Sequence, residues 1–444
     1  IQRRNQKVLE EAPSMLIDPK TRKEMGEQAA AMARAVQYVS AGTVEMVVNP
    51  KREFFFLEMN TRLQVEHPIT EMITGVDLVE QMIRAAAGLE LSVKQEDIKI
   101  NGWATESRVY AEDPTKNYFP SIGRLSNYIE PEGDGVRVDS GILNGSQISV
   151  YYDPLIAKLC TWGPDRNTSL QRMRHALDEY VIRGLKHNVC LLRDVITQQR
   201  YIDGDITTAY LPEVYPDGFK KAAMTAAEGK RLAVTAAILR AMREHNFGAV
   251  NKAEVPKGCA KTEYSVCLSK GEEEDTPVTV AITGVMDGTS AQFEATVADT
   301  TTNVTVQWPV GTPVVRVQTT GADGAAIHET FQYFGTNDIT YEVQYLGSVF
   351  SVNVLTPAER EVFAHMPKTS ALTSEKIMRS PMPGVVVDIA VKPGDTVAAG
   401  AVVLTLEAMK MRNNLRAEVD GVVKAVKVEV NKTVDDDQVL VEFE

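Results

Sequence analysis

Apolar positions along this chain follow three rhythms. In residues 1–217, short alternating runs are interleaved with stretches of helical period, which predicts an α+β region. Asp77 with Glu80 three residues later opens one helix, and Gly88 ends it. Leu170, Met173, Leu177 and Tyr180 form an apolar stripe on a second helix that stops at Gly184. Residues 104–111 and 148–152 predict strands. Near Tyr215-Pro216-Asp217-Gly218 the texture changes. Residues 219–245 are Ala-rich, with no Pro and one Gly, and predict one long helix. Eight strand-like runs follow at 263–269, 276–284, 291–299, 303–309, 313–319, 326–334, 339–346 and 348–355. A long helix followed by eight short strands predicts a small β-barrel packed on that helix.

The third rhythm is a repeat. Offset by 37 residues, 382–407 lands on 419–444. Gly384, Val385, Val386, Val391, Thr396, Val397, Val402 and Glu407 meet Gly421, Val422, Val423, Val428, Thr433, Val434, Val439 and Glu444. Two similar β halves of this kind bury together a core that neither could bury alone. The link between them, Ala408 to Glu418, is a turn at the symmetric end, and it carries Lys410 between Met409 and Met411. The expected division is 1–217, 218–363, a linker at 364–374 rich in small and polar residues, and a β-rich unit at 375–444.

Composition narrows the function. Asp and Glu total 60 against 47 Lys and Arg, a formal charge of −13, which argues against a nucleic-acid-binding surface. No run of 18 apolar residues exists to span a membrane. Cys160, Cys190, Cys259 and Cys267 form no C-x-x-C pair, so neither a disulfide framework nor a zinc knuckle is expected. The chain starts without Met, which raises the expectation of a fragment or a processed form.

Candidate chemistry gathers in residues 43–68. Two β-rich runs flank Asn49-Pro50-Lys51-Arg52, a turn by composition. If Val48 pairs Glu53, Glu45 lies opposite Phe56, and Glu58 sits diagonal to Glu45 at roughly 7–8 Å, with Asn60 on the same face. Two carboxylates and an amide supply hard oxygens for Mg²⁺ beside nucleotide phosphates; the bland alternative is a half-exposed sheet face with ordinary acids.

Two motifs then carry a resemblance. Glu407-Ala408-Met409-Lys410-Met411, with 34 residues after Lys410, resembles the A-M-K-M signature of biotinyl domains; a lipoyl domain would show D-K-A. Glu58-Met59-Asn60-Thr61-Arg62-Leu63-Gln64-Val65-Glu66-His67 resembles the E-M-N-x-R-x-Q-V-E-H signature of biotin carboxylases, a branch of the ATP-grasp superfamily. Gln2-Arg3-Arg4-Asn5-Gln6-Lys7 matches that family's Q-R-R-x-Q-K segment, with Asn5 where a His is common, and Gly135-Val136-Arg137 fits a third segment.

The resemblance implies a multidomain α+β protein: the C-terminal part of an ATP-grasp biotin carboxylase, a helix-and-barrel domain that docks a partner subunit, and a biotinyl carrier domain. It implies biotin on Lys410, placed there by a biotin protein ligase. It implies ATP contacts at Gln2, Lys7, Glu45 and Glu58, and Mg²⁺ or Mn²⁺ held by Glu45, Glu58 and Asn60. Lys7, Arg62, Gln64 and Val65 would bind bicarbonate. Glu66 would deprotonate it for attack on the γ-phosphate, and Arg137 would bind biotin and stabilise its developing oxyanion. His67 reads as structural.

The domain order fits the α subunits of acyl-CoA carboxylases, and Tyr215–Phe219 with 99–160 looks most like the propionyl-CoA type, with the methylcrotonyl-CoA type as competitor. That family implies a carboxyltransferase β subunit in an α₆β₆ assembly, in the mitochondrial matrix of a eukaryote or the cytoplasm of a bacterium. No Gly-rich nucleotide lid is found, so the expectation is a chain that does not carboxylate biotin alone. The rival classes are a carrier subunit without chemistry and a dihydrolipoyl acyltransferase.

Overall fold

The computed structural model describes the chain apart from residues 4, 150–152, 222, 251–257, 271–272, 275, 288, 310, 322–323, 338, 367–376, 399, 409–410 and 418–419. Among the described residues three large hydrophobic cores, one for each rhythm of the sequence, and a small cluster of Ile69, Ile73 and Ala104 organise the chain.

The first core surrounds a four-stranded antiparallel sheet. Its order is Val136–Ser140, Leu155–Gly163, Trp103–Tyr110 and Leu9–Ala12. One face packs on the helix Arg166–Glu179 through Leu170, Met173 and Leu177. That helix is capped by Asp165, which accepts from the Thr168 amide at 2.8 Å. It ends at Glu179, five residues before Gly184, because Val181–Arg183 pairs as a strand with Asn127–Ile129. Strand pairing overrides the helical period there. The helix Leu78–Ala86 forms as expected, with Asp77 accepting from the Glu80 amide at 2.9 Å and Gly88 in the left-handed region beyond it. Of the predicted strand 148–152, Gln147–Ile148 is a short strand, and 150–152 lie outside the described residues.

The second core is the barrel. All eight predicted runs are strands, from Gly258–Lys270 to Ser348–Leu355, and the first closes on the last through pairs such as Ser265↔Leu355. A two-residue strand, Glu273–Glu274, is appended. The helix Ala226–Val250 runs inside, and residues 232–239 are buried on every side. A helix without a polar stripe belongs in an interior. It starts seven residues later than the composition suggests. Thr225 and Glu228 cap it reciprocally at 3.3 and 2.7 Å. Phe219 is anchored in the first core, so the intervening chain must cross to the barrel. The barrel packs against the first unit, where the Gln332 amide donates to the Asp178 and Tyr180 carbonyls at 2.9 and 3.0 Å.

The third core joins two four-stranded sheets. The repeat is exact in register: Gly384–Ile389 and Thr396–Val397 recur as Gly421–Val426 and Thr433–Val434. The halves exchange strands. Thr396–Val397 pairs with Gly421–Val426, and Thr433–Val434 pairs with Gly384–Ile389. That exchange is why neither half has a core of its own.

Candidate active site

The hairpin Thr43–Val48 with Phe54–Asn60 carries the first group, and its register differs from the expectation. Asn49 accepts from the Arg52 amide at 2.9 Å, and the Asn49 amide donates to the Glu53 carbonyl at 3.0 Å. Arg52 sits at φ +65°, the left-handed residue that completes a three-residue loop. Val48 therefore pairs Phe54. A bulge between Glu45 and Met46 on this ladder then sets Glu45 directly opposite Glu58, and not diagonal to it. The Asn60 amide nitrogen donates to Glu45 at 3.1 Å and to Glu58 at 3.0 Å, offsetting the repulsion of two facing carboxylates.

The following loop closes over the sheet. His67 and Pro68 start the helix His67–Thr74, and the His67 ring contacts the Gln64 carbonyl at 2.8 Å through Nδ1, a structural contact. Glu66 occupies the N-cap position but makes no capping bond with its side chain. Its carboxylate instead accepts from Lys7 Nζ at 2.5 Å and from Arg108 Nη2 at 2.9 Å. Lys7 also reaches Glu45 at 3.0 Å, and the buried Gln64 side chain donates to Glu45 at 3.4 Å. Arg62 Nη1 donates to the Leu63 carbonyl and the Gln64 side chain at 3.2 and 3.4 Å. Lys158 holds the loop by donating to the Val65 carbonyl at 3.1 Å. Gln2 is the cross-strand partner of Lys7.

The charges of this cluster are tuned. Burial alone would raise the Glu66 carboxyl, but the Lys7 hydrogen bond and the Arg108 charge hold it below its ordinary value. Burial would lower Lys7; its bonds to Glu66 and Glu45 raise it. Glu66 is thus an ionised acceptor at neutral pH, braced by two cations. A base in that state can take a proton from a substrate bound within hydrogen-bond reach.

Arg137 is held by Asp139 at 2.7 and 3.0 Å and by Glu71 at 2.8 Å. The guanidinium that meets Glu66 belongs to Arg108. Sequence reading passed over Arg108, although two charges at 106 and 108 in a strand otherwise made for burial are a legible signal. Met409 and Lys410 lie outside the described residues. Around them the strands Val402–Ala408 and Met411–Arg416 pair as far as Ala408↔Met411, and Arg412 bonds Glu407 at 3.1 Å.

Family models match four segments in turn: the ATP binding domain of the carbamoyl-phosphate synthase L chain at 1–94, the biotin carboxylase C-terminal domain at 106–213, the propionyl-coenzyme A carboxylase BT domain at 232–369, and the biotin-requiring enzyme model at 376–443. The mitochondrial propionyl-CoA carboxylase alpha chain of Homo sapiens is 48% identical over 100% of this chain. The chain belongs to the biotin-dependent carboxylases, of the acyl-CoA carboxylase alpha-chain type. Within that family, the propionyl-CoA carboxylase alpha chain of Ruegeria pomeroyi is 42% identical over 100% of this chain and 66% of its own length. The mitochondrial methylcrotonoyl-CoA carboxylase subunit alpha of Dictyostelium discoideum is more distant, 33% identical over 99% of this chain and 62% of its own length. The chain spans 60% of the length of the human relative. No helix among the described residues is long and apolar enough to cross a membrane.

Proposed function

We propose that this chain takes part in the ATP- and bicarbonate-dependent carboxylation of biotin, as an alpha chain that serves propionyl-CoA together with a carboxyltransferase β subunit. In this reading residues 1–217 activate bicarbonate, 218–363 dock the β subunit, 364–374 link, and 375–444 carry biotin on Lys410. The observation that carries it is Glu66 held between Lys7 and Arg108, 2.5 and 2.9 Å away.

Lys7, Arg62, Gln64 and the Val65 backbone bind bicarbonate beside Glu66, which takes its proton. The loss of charge on Glu66 frees Lys7 and Arg108 to stabilise oxyanions as they develop. Arg108 braces the base, and Arg137, held by Glu71 and Asp139, binds biotin and stabilises its developing oxyanion. Glu45, Glu58 and Asn60 fit Mg²⁺ or Mn²⁺: two facing carboxylates supply hard oxygens on one sheet face, and the Asn60 amide, whose nitrogen now donates to both, would turn its oxygen to the ion. Such an ion, when bound, supplies positive charge against the phosphates of ATP, which Gln2, Lys7, Glu45 and Glu58 adjoin. Biotin supplies the carrier nitrogen. The family supports an α₆β₆ assembly, a biotin protein ligase as the modifying partner, and a matrix location in a eukaryote or a cytoplasmic one in a bacterium.

The intact mass of the chain, made beside its Lys410→Arg variant in cells with an active biotin ligase, tests the carrier role. An increment of one biotin in the parent alone is expected. No increment in the parent would sink the assignment.

A further inference from the structure

Behind Glu66 lies a charge arrangement that bicarbonate activation does not itself use. Glu10 on Leu9–Ala12, Glu106 on Trp103–Tyr110 and Cys160 on Leu155–Gly163 are direct cross-strand neighbours. Glu106 is fully buried. Arg108, two residues along the same strand, donates to Glu10 Oε1 from Nε at 2.7 Å and lies 2.6 Å from it through Nη2. Its Nε stands 3.9 Å from Glu106 Oε1. Three carboxylates therefore surround one guanidinium. Among the described residues, the buried Glu10 Oε2 and Glu106 Oε1 have no hydrogen-bond partner. Cys160 Sγ donates to the other Glu106 oxygen at 3.4 Å.

Two fully ionised carboxylates, side by side and buried, each with an unmet oxygen, are a costly arrangement. One proton resolves it. Placed on Glu106 Oε1, it removes one charge and turns an orphan acceptor into a donor, on the residue directly across the ladder from Glu10, whose own Oε2 is an orphan acceptor.

We propose that Glu10 and Glu106 share one proton, and that Glu106, kept uncharged, is a positioning residue that leaves Arg108 trained on Glu66. Were Glu106 ionised, its carboxylate would compete with Glu66 for the same guanidinium. The groups facing Glu106 are Glu10 on one neighbouring strand, Cys160 and Lys158 on the other, and Arg108 on its own; the Ile1 amino group and Glu66 face Glu10. Burial and the Glu10 charge push the Glu106 carboxyl up to about 8, against the pull of Arg108 and Lys158. The role in catalysis rests on the function proposed above; the shared proton does not.

Linkage gives the sign. A carboxyl raised on folding contributes stability that is whole below its unfolded value, near 4.5, and is lost as pH rises through about 8. The test is isotope-edited infrared spectroscopy of the full chain at neutral pH, beside Glu106→Gln. A protonated-carboxyl band present in the parent and lost in Glu106→Gln is expected. The fall of denaturation midpoint with pH across that window should also flatten in the variant. A parent without a Glu106-dependent band overturns the shared proton. Should Glu106→Gln fail to fold, the parent band decides the same question by titrating away above about pH 8 or by being absent throughout. In the holoenzyme that contains this chain, the alkaline limb of bicarbonate-dependent ATP cleavage should move to higher pH in Glu106→Gln. An unmoved limb with the band lost overturns the positioning role. A holoenzyme without such cleavage refutes the proposed function and leaves the infrared result standing.

Discussion

Glu66 illustrates how much of a residue's chemistry depends on partners distant in sequence. Lys7 comes from 59 positions upstream and Arg108 from 42 downstream. Between them they keep a half-buried carboxylate ionised, against the pull of burial. Glu66→Gln keeps the shape and removes the ionised carboxylate that accepts the proton. In the holoenzyme, kcat for bicarbonate-dependent ATP cleavage should fall about 10²–10⁴-fold, the usual worth of a positioned base. A steady-state assay with ATP and bicarbonate varied checks this, and a fall below tenfold would take the base role from Glu66. Arg3 offers a structural contrast. Its guanidinium meets Glu112 at 2.6 Å, and both side chains are fully buried. Arg3→Met removes one member of that buried pair and should cost about 3–5 kcal/mol, read as a lower denaturant midpoint. The acids and amides of 45–66 were legible because a contiguous motif holds them. Arg108 was passed over because it joins them only when a sheet strand passes beneath the loop.

Elements repeat the lesson with different physics. The helix Pro357–Phe363 is short, and its start is made by a full capping box: the Glu359 amide donates to Thr356 at 3.3 Å, and the Thr356 amide donates to Glu359 at 2.7 Å. Arg240 of the barrel helix then grips Glu359 with two bonds of 2.7 Å. Those bonds and the cap pull the Glu359 carboxyl down to about 2. Thr356→Ala should cost about 1 kcal/mol in chemical denaturation. Its effect should shrink as pH falls from 4.5 through about 2, where protonation of Glu359 undoes the other half of the box. Equal losses at both ends of that window would remove the reciprocal cap. Alternation alone located all eight barrel strands, because each has one face in the core. The helix ends at Glu179 and Ala226 escaped it. Strand pairing with Asn127–Ile129 set the first, and the anchor at Phe219 with the Thr225 cap set the second.

At the scale of the molecule, the barrel and the first unit are joined by polar groups that leave no slack. Gln332 is fully buried and accepts from Arg183 at 2.8 Å while donating to two carbonyls of the other unit. Arg183 lies over the Phe334 ring, 3.3 Å from its centroid, and burial lowers its pKa to about 10. Gln332→Ala strands a guanidinium and two carbonyls, and should cost about 1–3 kcal/mol for each group left unpaired. Scanning calorimetry should resolve one transition into two, as the units lose their coupling; a single unshifted transition would show that other contacts carry the junction. The sequence by itself determined the three rhythms, the eight strands, the exact repeat around Lys410 and the acid-rich loop, because local period and short motifs are written in neighbouring residues. Only the tertiary structure decided the hairpin register that sets Glu45 against Glu58, the exchange of strands between the repeats, and the meeting of Arg108 with Glu66. Each of these depends on a single-residue bulge, or on a pairing between distant strands, and neither leaves a periodic trace in the chain.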